Sequence, residues 1–230
     1  MKKFLVLVFQ ITLINISLFS QKYEQVTVKA GMKVVDCFPF NDRYRYSQFV
    51  NGRIQLTNGV AADKILNYDF LTGEIEFLRG KDTLAITNGK DIRHLVIEAD
   101  TFYFYKGMYL ELISGGAVKV VLRQYVKLKE TQKKDSYGTA SSGSATTSYG
   151  SLPIGGDFHM LVANEDMVFQ RTLEYYISEP DGGFDMYNKK NVLHLYPKNE
   201  KEIKAYLKSE KINFDKREDL IKLADYLSGL

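Results

Sequence analysis

A lone cysteine, Cys37, among 230 residues excludes an intramolecular disulfide. Histidine is nearly as scarce. His94, His159 and His194 lie in separate segments with no HxH or HxxxH pair, whereas a metal site needs several converging ligands. Neither sign of charge prevails, with 31 basic and 28 acidic side chains. The clustered basic field that marks nucleic-acid binding is missing. No metal, cofactor or nucleic-acid partner is expected.

Catalytic signatures are absent as well. There is no GxSxG elbow. Gly73 and Gly80-Lys81 lack phosphate-loop spacing, and Asp82 stands where Ser or Thr is required. Asp181-Gly182-Gly183 with Asp185 is a fragment of a calcium loop without its other ligands. The pairs Glu74/Glu76 and Glu165/Asp166 read as solvated strand edges. Asp157 near His159 is conceivable as an acid–base pair, but polar residues opening a strand are the simpler reading. His94, with Val96 on the same side of its strand, reads as a partly buried structural histidine.

The opening stretch MKKFLVLVFQITLINISLFSQ is the one long apolar run. Lys2 and Lys3 precede residues 4–18, and the small residue Ser20 precedes Gln21. That is the form of a signal peptide, expected to be cleaved near Ser20-Gln21, and is short for an uncleaved anchor. No cysteine follows before Cys37, which argues against a lipoprotein. Losing Lys2 and Lys3 leaves 29 basic and 28 acidic side chains, a net charge of +1. The expected location is the periplasm or an outer-membrane-associated site.

Residues 52–129 read as six or seven short antiparallel strands. Ile54 and Leu56 alternate with polar neighbours, as do Ile75 and Phe77. Val118, Val120, Leu122, Val126 and Leu128 share one face, opposite Lys119, Arg123, Tyr125 and Lys127. Such alternation arises because successive strand side chains point to opposite sides, so one face can be dry and the other wet. Asn58-Gly59, Thr72-Gly73, Gly80-Lys81-Asp82, Asn88-Gly89 and Gly115-Gly116 supply the turns. An earlier strand is expected in EQVTVKA, with another over residues 33–36, and 37–49 as an aromatic loop over one end of the sheet.

The Ser/Gly/Thr-rich residues 131–156 read as a flexible loop. FHMLV reads as a strand, and 165–177 as a strand that rejoins the sheet or, alternatively, a short helix. The tail changes period. Residues 188–197 form a helical turn ended by Pro197, followed by a helix with Ile203, Tyr206 and Leu207 on one stripe. A last helix is expected with Asp215 as N-cap, Glu218 three residues on, and Leu220, Leu223, Ala224 and Leu227 buried. The fold class is therefore α+β, mainly β: an antiparallel meander, sandwich or open barrel-like, with a C-terminal pair of short helices. Its parts are 1–20 (leader), 21–187 (β-rich) and 188–230 (helical, packed on it).

Three stretches carry a resemblance. NGRIQLTNGVAADKILNYDFLTGEIEFL, DTFYFYKGMYLELI and the tail NKKNVLHLYPKNEKEIKAYLKSEKINFDKREDLIKLADYL look like uncharacterised exported proteins of Bacteroidota-type bacteria. The resemblance implies an envelope location and assigns no residue a role.

Aromatics are plentiful, with 16 Tyr and 14 Phe but no Trp. Tyr44, Tyr46, Phe49, Tyr103 and Tyr105 are the candidates for lining an apolar site or an interaction face. A Tyr-rich β-core and its rim explains the same residues more simply. The expected function is a non-enzymatic envelope protein that binds or scaffolds an envelope partner. The alternatives are a periplasmic carrier of a small apolar ligand and a hydrolase with an unrecognised site.

Overall fold

A computed structural model describes residues 25–134, 140–144 and 161–230, with side chains for 25–131 and 161–230. The chain is built on one antiparallel sheet. Its strands are β1 (Gln25–Val28), β2 (Val50–Leu56), β3 (Ala61–Asp69), β4 (Glu74–Arg79), β5 (Asp82–Ala85) and β6 (Ile92–Ile97). Then follow β7 (Asp100–Tyr105), β8 (Met108–Ser114), β9 (Val120–Lys134), β10 (Ala140–Ser144), β11 (Asp166–Ser178) and β12 (Phe184–Met186). The spatial order is β1-β11-β9-β8-β7-β6-β2-β3-β4-β5, with β10 beside β9 and β12 beside β11. The sheet is open, not a closed barrel.

The sheet nevertheless curls. Phe70 O, just past β3, accepts from Val126 N of β9 at 2.8 Å, and the Tyr68 hydroxyl donates to Gln124 O at 2.5 Å. Strands far apart in the sheet order are thereby tied across its inner face. Leu66, Tyr68, Ile75, Leu95, Ile97, Phe102, Val126, Leu128 and Phe169 fill that hollow as one core. Tyr68 stacks on Phe102 at 5.7 Å and Phe38 meets Phe169 edge-on at 5.7 Å. Aromatic pairs favour such arrangements.

Among the described residues four helices complete the fold: α1 (Phe40–Arg43), α2 (Lys189–Leu195), α3 (Glu200–Ser209) and α4 (Arg217–Leu227). Val192, Ile203, Leu207 and all four expected residues of α4 are buried against Val118, Val120 and Ile177. Val118, Val120, Val126 and Leu128 do share one face of the β9 segment, yet they serve two cores. Val118 and Val120 meet the helices, whereas Val126 and Leu128 meet the curled sheet. Burying those apolar stripes is what holds the short helices, which would be marginal alone.

Several expectations are corrected. Residues 52–129 contribute to eight strands, not six or seven. Residues 33–36 are not a strand: Lys33 makes an isolated bridge to Val162 and Val34–Cys37 is a 3-10 turn. The stretch read as a loop from 131 begins inside β9, and Ala140–Ser144 folds back along it as β10. Most of FHMLV lies outside the described residues. Asp215 does not cap α4. Its N–H donates to Asn213 Oδ1 at 2.9 Å, and the helix starts later with Lys216 at the cap position and no side-chain cap bond. Asp219 closes the turn by accepting from Asn213 N at 2.9 Å.

Asn88-Gly89 acts through space rather than through backbone freedom. Gly89 opens a 3-10 turn, and a Cβ there would stand 2.4 Å from the Phe104 ring. Only glycine admits that approach.

Candidate functional site

Residues 39–49 carry two arginines that alternate along the chain and reach different carboxylates. Arg43 donates from Nε to Asp69 Oδ2 at 2.8 Å and lies 3.3 Å from Glu76 Oε1. The Tyr44 hydroxyl donates to Glu76 Oε2 at 2.7 Å. Asp69 and Glu76 are buried, which corrects the expectation of a solvated edge at Glu76. The reason is tertiary: the 39–49 segment lies over the polar side of β3 and β4. Burial, then the charge of Asp69, raise the Glu76 carboxyl above the usual range. Arg45 reaches Asp100 Oδ2 at 2.9 Å and Glu111 Oε1 at 2.8 Å, and Gln124 Nε2 donates to Glu111 Oε2 at 2.8 Å. Glu111 is also pushed up by burial. Asp166 is buried too, accepting from Lys29 Nζ at 2.8 Å and Ala30 N at 3.0 Å. These groups hold the framework.

The five candidate aromatics do not form one site. Tyr44 and Phe49 meet at 5.3 Å beside Phe40. Tyr46 turns into the core and donates to Asp100 Oδ2 at 2.8 Å. Tyr103 and Tyr105 project from the other side of β7, because Phe102 and Phe104 occupy the core side. There they flank Phe184 of β12 at 5.9 and 5.5 Å. His94 is half-buried on β6, His194 is exposed on α2, and Asp157 and His159 lie outside the described residues. Asp181 and Asp185 accept backbone N–H groups of their own turn, from Gly183 and Met186. Among the described residues no group of three or more metal-ligating side chains gathers.

The side of the sheet bearing Tyr103 and Tyr105 differs from the inner face. Leu110, Val121, Tyr176 and Phe184 are buried there, with Tyr103, Tyr105, Met108 and Leu112 packed against them. Every one of these residues belongs to a strand of the sheet itself. Among the described residues, no helix or second sheet contributes to this cluster. Cations lie over two of its rings, Lys119 Nζ 5.5 Å over Tyr103 and Lys106 Nζ 4.8 Å over Tyr105, and beside the cluster the Arg123 guanidinium lies 4.1 Å over Tyr125. Alongside, Glu174 of β11 accepts from Tyr125 at 2.7 Å and Tyr176 at 3.0 Å, with Arg123 at 3.4 Å. Burial and Glu174 push the Tyr176 phenol up to about 12. This outer face, aromatic and cation-covered, is the candidate functional surface.

A cavity of about 520 Å³ opens at the β11 edge, between Gln170–Tyr175 and Met186, Tyr187, Phe214 and Asp215. It mixes apolar with charged lining and sits outside the curled core, which side chains fill.

No family model, curated protein or solved structure matches the chain. Function must be read from the geometry itself. Sequence reasoning found Tyr103 and Tyr105 but missed Phe184, Tyr176 and Glu174. The alternation of Leu173, Tyr175 and Ile177 against Glu174 and Tyr176 within β11 was the available signal, since it puts the latter two on one side.

Proposed function

We propose that the chain is an exported, non-enzymatic envelope protein that binds or scaffolds a partner through the aromatic, cation-covered outer face of its sheet. The observation that carries this reading is the Tyr103, Tyr105, Phe184 and Tyr176 cluster, an apolar sheet face to which no second layer contributes among the described residues. Sheets ordinarily bury such a face against another element. Aromatic residues with cations on their rings suit recognition, because they offer large, rigid contact area with polar tips. The basic-then-apolar opening of the chain supports export. No described helix is long and apolar enough to cross a membrane. Asp69, Glu76, Glu111 and Asp166 are each engaged by arginine, lysine, phenol, amide or backbone donors, as befits a framework rather than an acid–base pair.

The test is a photo-reactive amino acid placed at Tyr103 or Tyr105, with crosslinking in intact cells and the same probe at exposed Lys201 as control. A discrete adduct at 103 or 105, absent at 201, is expected. Equal labelling at all three positions would overturn the reading.

A further inference from the structure

The outer face has a charge pattern as well as an apolar cluster. Along the β9 segment, Lys119, Arg123 and Lys127 recur at every fourth position and so share one side, with Tyr125 among them. At a strand rise of about 3.4 Å per residue, the three cations stand about 14 Å apart over about 27 Å. The facing acid, Glu174, already accepts from two phenols and Arg123. Lys127 is exposed, and its cross-strand neighbour on β11 is the uncharged Gln170.

We infer that this stripe binds a linear anionic polysaccharide, one carrying carboxylates along a chain of sugar rings. The inference rests on the outer face being the working surface and names its partner. Charge complementarity sets the sign of the ligand, and the straight row of cations sets its shape. The rings distinguish a glycan from a nucleic acid. Bases bind single-strand platforms by stacking on uncovered aromatic faces. Here Lys119 and Arg123 lie over Tyr103 and Tyr125. What remains toward a ligand is the ammonium groups of Lys119 and Lys127 with phenol edges, Arg123 being shared with Glu174, and these suit carboxylates and hydroxyls. A membrane surface fits less well. The buried apolar side chains lie beneath the cations and do not project for insertion, and three cations alone attract a bilayer weakly.

The test is equilibrium binding of the purified protein to four probes: polygalacturonate, its carboxyl-reduced neutral counterpart, a single-stranded oligonucleotide of similar length, and phosphatidylglycerol vesicles. Polygalacturonate should bind best, with affinity falling as salt rises. The double variant Lys119→Gln, Lys127→Gln keeps part of each stem and should lose about tenfold in affinity, on the scale of two surface cations facing a polyanion. Lys201→Gln with Lys208→Gln on α3 should leave binding unchanged. Unaltered circular dichroism in both variants would show that any loss is not unfolding. Equal or tighter binding of the neutral polymer, the oligonucleotide or the vesicles would overturn the inference, as would an undiminished double variant. If no probe binds while the Tyr103 crosslink persists, only this inference falls. If neither appears, the proposed function falls with it.

Discussion

Arg45 joins two carboxylates of unequal burial, and the consequences can be measured one residue at a time. Glu111 has a side chain only 5% exposed, against 24% for Arg45. Removing the cation in Arg45→Ala strands a buried charge. The expected loss is about 2–3 kcal/mol, less than for a fully buried pair because Arg45 is partly solvated. Urea unfolding measures it. The raised carboxyl of Glu111 makes a separate prediction with a definite sign. A carboxyl with a raised folded pKa binds more protons folded than unfolded, so its contribution to stability falls as pH climbs from the ordinary carboxylate range to the raised value. Stability of Glu111→Gln relative to the parent should therefore improve as pH rises through that window, and unfolding curves at several pH values would reveal the opposite. Gly89→Ala should cost about 1–3 kcal/mol through overpacking against Phe104. None of these roles was legible in the sequence. Arg43 lies 26 residues from Asp69 and Arg45 lies 66 from Glu111, and a charge reads as solvated until the fold brings something to cover it.

At the level of elements, local rules read well where one element decides its own shape. Alternation and turn residues located most strands correctly because both act between near neighbours. They failed where a partner decides. β10 is a run of Ala, Ser and Gly with no strand signal of its own, drawn into the sheet by the exposed edge of β9. Tyr103 and Tyr105 were found as aromatic, but their separation from Tyr44 follows from which side of β7 the core claims. The start of α4 offers a compact check. Lys216 occupies the cap position without a side-chain acceptor, so Lys216→Ser should stabilise by about 1 kcal/mol. Asp219→Ala should cost about 0.5–1.5 kcal/mol through the lost bond from Asn213 N, while Asp215→Ala should change little. Thermal melts of the three variants would rank them, and a larger effect at Asp215 would contradict the assignment.

For the whole molecule, the two inner cores lie side by side on one face and share the β9 and β11 strands. Helices and sheet should accordingly unfold together. Leu223→Ala, made in the helical core, is expected to cost about 2–5 kcal/mol and to lower the sheet's transition by the same amount. Coincident curves from helical dichroism and tyrosine absorbance would bear this out, whereas an early helical phase would not. The strand order has a further consequence, which concerns time. Most strands pair with a neighbour made moments before, as in the β6-β7-β8-β9 run. Among the described residues β1 pairs only with β11, Val28 lying opposite Met167. The earliest of the described strands thus waits for one of the latest, and closing that long loop is expected to slow completion of the sheet.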